Sequence, residues 1–464
     1  MDCIIFGCGD IGLATFNKVK DFFNVVAWSD NNKYLWGKTK NDVEIIEPNR
    51  ISEYTDAIIL IAVMNSSGIV EQLQTYGVNH LYVWKRGFFY SINGMYPLKV
   101  GALYYKCNKD DGNLDVLFIS DTAYIRDHKM ASLVKNKGHR AYLAYTVHSP
   151  QDMKSVFDNI YEEIFPIIDI DSMIEFIENS NFDIVHSSSN SEYITSLLHK
   201  TNKPIIHDCH DLRSAYRSLT ANQIMIEWLA HRYSDGVIYP TSKLRDSAVR
   251  KLGVCPENTV VIENYISNDL VTDIRLDKLS EKDGMLHCVY EGGIEASTDS
   301  HKYFKGIWKS IAESGVHIHF YSQEVENICA DIEAIHPNVH YEGNYSSKQL
   351  AVELSKYDVG LCVLNITPKN KLYLEASSPN KIQEYVNAGV PVAVGNIQTN
   401  IDFVENNRFG KYLDLNGDIY EQLKEIANIK IPINALVDLK FTFEDSGDKL
   451  IDFYKNVIAN KEIL

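Results

Sequence analysis

This chain of 464 residues has no long apolar run. The longest stretch, around Ala57 to Met64, falls far short of the roughly 20 apolar residues that cross a bilayer. Any membrane contact is therefore expected to be peripheral, at the inner face of a membrane. Positive charge is also scarce, with 45 Lys and Arg against 62 Asp and Glu and a formal net charge of −17. That balance argues against nucleic acid as the main partner, because holding a phosphate backbone needs net basic surface. The eight cysteines are scattered, with no C-x-x-C and no zinc spacing, which fits a reducing cytoplasm and predicts no metal. Met1 to Gly7 reads as a strand and a turn, without the basic flank and longer apolar core of a signal peptide. No period of 20 to 50 residues repeats along the chain.

What the chain does contain is an alternation of short apolar runs and amphipathic segments, long enough for two to four domains. Short, uniformly apolar strands are those of parallel sheets covered on both faces, so the class is α/β. Residues 1–98 form one small doubly wound unit, and 99–113 read as a polar linker. Residues 114–272 form a second unit. Residues 273–464 form a third, ending in a helix over Phe443 to Asn460.

In the first unit Gly7-x-Gly9-x-x-Gly12 lies between a strand and a helix, and Asp30 ends the next strand. Glycines at this spacing let backbone approach a pyrophosphate, and the acid can take ribose hydroxyls. The pattern suits a nucleotide or sugar nucleotide, and equally a turn that only lets the helix pack closely. Tyr105-x-x-x-Lys109 has the spacing of a short-chain reductase pair but falls in the linker, so it is read as coincidence. Asp169-x-Asp171 is one acidic pair in an acidic protein, again expected by chance.

Ser378 to Val392 reads as loop, helix and strand: Ser378 as N-cap, Pro379 at the first helical position, and Gly389 closing the helix before Val390-Pro391. Lys381 stands in the first turn, where the helix dipole disfavours a cation unless an anion occupies that end. Glu384 follows one turn later. Such a constellation suits a diphosphate and a sugar. The same spacing also suits a solvated Lys–Glu pair.

The run Ser378 to Val392 resembles the donor-site helix of the retaining GT-B glycosyltransferases of family 4, in the version common among capsule and O-antigen enzymes. Arg126 to His139, His207 to Leu212, Ser234 to Ile238, Val261 to Asn264 and Tyr290 to Ile294 are family-like and occur in the expected order. The resemblance covers roughly residues 114–464. It implies an acceptor lobe over 114–272 and a donor lobe over 273–464, each Rossmann-like, with a small Rossmann-like domain appended in front. Residues around Trp28 to Lys38 resemble such appended domains of polysaccharide-biosynthesis enzymes, some of which hold a sugar nucleotide.

The resemblance implies transfer of a sugar from an NDP-sugar to a glycan or lipid-linked acceptor with retention, and no required cofactor or metal. Gly292, Gly293, Pro379, Asn380 and Lys381 would take the diphosphate and Glu384 the ribose. His210 and Asp211 would face the cleft as catalytic candidates, unless that pair only caps the following helix. Two departures stand out. Counting back from Glu384, Ala376 occupies the place of the family's first glutamate, with Glu375 one position off. Gly293 and Thr298 replace its Arg and Lys, leaving Lys302 and Lys305, on a helix read over Lys302 to Ala312, as the nearest substitutes. The loop Ile366 to Ser377 could close over the sugar, and Arg213, Arg217, Trp228 and Leu229 read as solvated surface or, as the alternative, as an amphipathic face for a lipid headgroup. The rival readings are an NAD-dependent sugar-modifying enzyme centred on Gly7 to Asp30, and a non-catalytic sugar-nucleotide-binding assembly protein.

Overall fold

The computed structural model describes residues 1–20, 23–85, 88–92, 104–109, 112–120, 125–145, 159–167, 170–188, 192–215, 219–325, 327–377 and 380–463. Three sheets follow one another along the chain. In the first, Asp2–Phe6 lies between Asn24–Ser29 and Ile58–Ile61, all parallel, with Leu81–Lys85 beyond. Antiparallel partners, Thr39–Lys40 with Val43–Ile46 and Phe88–Ser91, close its two sides. Cys3, Ile4 and Ile5 are inaccessible to solvent, which is why this run reads as uniformly apolar. A side chain on Gly12 would meet the Gly7 carbonyl at 1.9 Å, so the glycine lets the helix Asp10–Val19 sit against the first turn.

The second sheet is wholly parallel, in the order Ile164–Pro166, Arg140–Tyr145, Asp115–Ser120, Ile184–Ser187, Ile205–Asp208, Gly236–Tyr239 and Thr259–Val261. The third is also parallel: Val339–Tyr341, His317–Tyr321, His287–Glu291, Val359–Cys362, Val392–Val394 and Gly410–Tyr412. Each places its loops at the carboxyl ends of the strands, where open α/β sheets bind ligands.

The C-terminal helix Gly447–Ile463 returns to the second sheet rather than to its own. Leu450, Phe453, Tyr454 and Val457 pack with Val116, Phe118 and Met130 in one core. Burying each such side chain contributes roughly 1.5–3 kcal/mol. Tyr454 Oη also hydrogen-bonds His186 Nδ1 at 2.6 Å, which fastens the last helix to the second sheet.

Two elements differ from their sequence reading. The loop Ile366 to Ser377 contains a helix, Lys371–Ala376, held by buried Leu374 in the core of the third unit. The helix expected from Lys302 starts at Lys305, because Lys302 precedes the turn ending at Phe304 and donates its N–H to Ser300 Oγ. Among the described residues no helix is long and apolar enough to cross a membrane.

Candidate active site

The helix Asn380–Asn387 presents its first turn to the space between the second and third sheets. Ile382, Tyr385 and Val386 form its buried face, as the spacing requires. Gly360 makes this fit possible, since a side chain there would lie 2.3 Å from the Tyr385 ring. Tyr385 then accepts the Glu291 N–H at 3.1 Å and donates to Leu361 O at 3.3 Å, which fixes the helix on two strand ends.

Lys381 Nζ stands 5.4 Å from the centre of the Tyr290 ring, an aromatic face that stabilises a cation. It also lies 3.8 Å from where a side chain on Gly292 would begin, and Gly292 has φ +120°, a left-handed conformation suited to glycine. Partial burial opposes the Lys381 charge, but Tyr290, Glu291, Cys362 and Glu384 together raise its pKa above the usual lysine value. Glu384 is shifted the other way for a carboxylate. Burial and the adjacent Glu291, with which it hydrogen-bonds, raise its pKa well above normal, against the pull of Lys381 and Lys129. A carboxyl group in this position offers two oxygens to vicinal sugar hydroxyls. Glu291 was not singled out in the sequence. Its place at a strand end before the glycine turn is the signal that marks it.

Across the cleft, Arg126 grips Asp208 with Nε at 2.9–3.0 Å and a terminal nitrogen at 2.9 Å, and Arg126 also donates to Ile262 O at 3.2 Å. Burial opposes ionisation of Asp208, yet Arg126 and neighbouring histidines hold its pKa below the carboxylate range. Asp208 points to one side of its strand, and the turn after it delivers His210. His210 Nε2 lies 2.6 Å from Ser188 Oγ and 3.7 Å from Asp127 Oδ1, while Asp127 Oδ2 accepts from Ser120 Oγ at 2.6 Å. Burial disfavours the imidazolium, but Asp127 and Asp208 outweigh it and raise the His210 pKa. Lys129, from the same lobe, reaches Tyr265 O at 2.7 Å and Asn264 Oδ1 at 3.4 Å. Burial and Arg126 push its pKa down to about 8.

Arg126, His210, Asp211, Lys302, Asn380 and Lys381 line one cleft of about 1030 Å³ that is open to solvent. The structure therefore brings together candidates drawn from both lobes. Lys302 Nζ lies 3.4 Å from where a Gly293 side chain would begin, which puts a cation over the turn where the family's Arg is missing. Lys305 is exposed on the next helix and does not line this cleft, because the later helix start turns it away. Glu375 does not line it either. It lines a separate recess with Tyr265 and Phe403 and pairs with Lys371 at 3.9 Å, so it does not supply the family's first glutamate here. Pro379, Asp169 and Arg217 lie outside the described residues. Arg213 sits in a short turn facing Glu192 at 3.5 Å, rather than on a helix offered to lipid.

In the first unit, Asp30 Oδ2 accepts the Cys8 N–H at 2.8 Å and Oδ1 accepts the Asn32 N–H at 2.8 Å. Lys40 Nζ bonds the Cys8 carbonyl on the same turn. Gly9 precedes the helix without a side-chain cap, and the space around its α-carbon is open. Tyr105 and Lys109 are separated in role: Tyr105 packs on Phe165 and Phe182, and Lys109 pairs with Asp115 and Asp183.

Comparison with known proteins bears on the fold. Residues 127–270 match the family described as Glycosyltransferase Family 4, residues 304–431 match the Glucosyltransferase 3-like C-terminal domain, and residues 1–83 match the C2185-like N-terminal domain. No curated relative matches the chain. Among solved structures, a glycosyltransferase from Rickettsia africae ESF-5 is 14% identical, with a TM-score of 0.52 over 75% of this chain and 100% of its own. A sucrose-phosphate synthase from Thermosynechococcus elongatus gives 13% and 0.53 over 75% and 100%. Anabaena HepE, in complex with UDP and glucose, gives 13% and 0.50 over 76% and 100%. At such identities the likeness speaks for the fold: this chain has the GT-B arrangement of two Rossmann-like lobes, and a segment of each lobe matches a glycosyltransferase family model.

Proposed function

We propose that this protein transfers a sugar from an NDP-sugar to a glycan or lipid-linked glycan acceptor with retention of anomeric configuration, as a step of surface-polysaccharide assembly on the cytoplasmic side of the membrane. The observation that carries the reading is Lys381, charged and held over Tyr290 beside Gly292, facing His210 across one cleft. The diphosphate would lie against Gly292, Gly293 and the start of the Asn380–Asn387 helix, with Lys302 above the turn and the ribose on Glu384 and Glu291. As the glycosidic bond breaks, negative charge gathers on the departing diphosphate and the sugar becomes oxocarbenium-like. Lys381, Lys302 and backbone N–H groups already in place favour that state over the ground state. His210, held by Ser188 and Asp127, would orient the acceptor side. Family resemblance supports retention without a covalent enzyme intermediate and without a metal in the transfer step. A second nucleotide or sugar nucleotide would belong to the first unit at Gly7, Gly9 and Gly12, although Asp30 is already engaged by Cys8 and Asn32.

The test is a thermal-shift screen of the intact chain against UDP-, GDP-, CMP- and dTDP-sugars and NAD(H), since a ligand of the folded state raises apparent stability by mass action. HepE with bound UDP and glucose makes UDP-sugars the first trial. One sugar nucleotide should stabilise the wild type but not Lys381→Ala, and NMR of the product should show the donor's anomeric configuration. Equal stabilisation of Lys381→Ala would overturn the donor placement, and an inverted product the retention.

A further inference from the structure

Three side chains that the transfer site does not use converge behind His210. His207 is the third residue of the strand Ile205–Asp208, Cys209 stands two positions on, on the same face, and His231 comes from the helix Ala221–Tyr233. All three are buried, with exposures of 0%, 1% and 1%. Their donor atoms lie within 4.8 Å of one another. Strand alternation separates this face from the Arg126–Asp208 pair, which uses the intervening residue.

Two further observations point to a ligand. Among the described residues neither nitrogen of His207 has a hydrogen-bond partner, and His231 Nε2 has none. A buried imidazole left unsatisfied at both nitrogens carries an uncompensated desolvation cost, so the fold has reason to fill that space. The second is His231 Nδ1, which meets Tyr239 Oη at 2.9 Å. With Nδ1–H donating to the phenol, the lone pair of Nε2 is directed into the cluster, as when a second partner orients a metal-binding histidine. Glu227 stands one turn earlier on the same helix, fully buried; its Oε1 accepts the Ser214 N–H at 3.0 Å, and its Oε2 has no partner among the described residues.

We propose that His207, Cys209 and His231 form a zinc site. Two imidazoles and a thiolate are a borderline-soft set suited to Zn2+. The Cys209 thiolate offsets part of the ion's charge within an apolar shell that includes Leu212, Val237 and Tyr239. Zinc bonds of about 2.0–2.3 Å need donors roughly 3.5 Å apart, so a small closing rotation completes the set. On binding, the Cys209 thiol gives up its proton to solvent as the Zn–S bond forms. The ion would pin the helix Ala221–Tyr233 to the turn that carries His210. The cluster escapes sequence inspection because His-x-Cys and a distant helical His match no finger spacing.

The test uses the untagged full-length chain grown with zinc, with metal content measured by mass spectrometry. About one zinc per chain is expected, kept in Cys255→Ser, whose thiol is exposed, and lost in Cys209→Ala and His231→Gln. Should those variants fold poorly, the chelated wild type titrated with Co2+ gives an independent reading, a thiolate-to-cobalt charge-transfer band that zinc abolishes. Wild type without zinc and without that band overturns the proposal, as does zinc retained in Cys209→Ala or stoichiometric copper in place of zinc. None of these readings depends on sugar transfer, so they stand or fall apart from the proposed activity.

Discussion

Asn264 donates its side-chain N–H to Asn380 Oδ1 at 3.1 Å, joining the point where the chain leaves the first GT-B lobe to the helix that carries Lys381 and Glu384. Two neighbouring bonds reinforce that link: Gln383 Oε1 accepts the Ile266 N–H at 2.7 Å, and Thr241 Oγ1 donates to Ala376 O at 2.6 Å. The crossing segment and this helix are therefore tied to one another beside the cleft.

Lys381→Ala and Glu384→Ala should each lower turnover by about 100-fold or more, the usual cost of losing one preorganised electrostatic contact. Circular dichroism should remain that of the wild type, because the buried face of this helix is Ile382, Tyr385 and Val386. Wild-type rates in both variants would remove the donor site from this helix.

Lys302→Ala should reduce kcat/KM by roughly 10- to 100-fold, as expected for one lost charge-assisted contact. Lys305→Ala should stay near wild type, since that side chain is exposed and outside the cleft. Steady-state kinetics on the two variants check the assignment, and the reverse order of effects would contradict it.

Lys129 carries a pH signature. Its folded pKa of about 8 lies below the unfolded lysine value near 10.4, so between these values the unfolded chain binds more protons. Stability should therefore rise with pH across that window, with a Lys129 share of about 3 kcal/mol that is absent below it. Chemical denaturation of wild type and Lys129→Met at pH 7 to 10 checks this. The wild-type advantage should grow with pH, and a constant difference would refute the shift.

Arg126→Met should destabilise the fold by about 3–5 kcal/mol, because it strands the Asp208 carboxylate inside the second sheet. The double variant Arg126→Met, Asp208→Leu should recover most of that loss, since two packed apolar groups replace the pair. Urea midpoints of the two variants measure the difference.

Much of the architecture could be read directly. Uniformly apolar runs such as Val116 to Ser120 and Gly236 to Tyr239 appear as parallel strands, because burial on both faces leaves no polar position to break the pattern. The helix from Asn380 closes before Gly389, which has φ +73°. Short edge strands escaped. Thr39–Lys40 and Gly410–Tyr412 are held by pairing to neighbours rather than by their own composition. The start of the helix at Lys305 and the helix Lys371–Ala376 were misplaced, because a contact made elsewhere decides each boundary: Ser300 Oγ with Lys302, and Leu374 with the core.

By itself the sequence determined the α/β class, the order of the strands along the chain and the cation and acid on one helical turn. These depend on residues a few positions apart, where backbone preference and side-chain periodicity act. Tertiary structure alone decided that Arg126 holds Asp208, that Glu384 faces Glu291, that Lys302 rather than Lys305 enters the cleft and that His207, Cys209 and His231 meet. Those partners lie far apart in the chain, and only the packing of whole sheets and helices brings their charges and lone pairs within reach of one another.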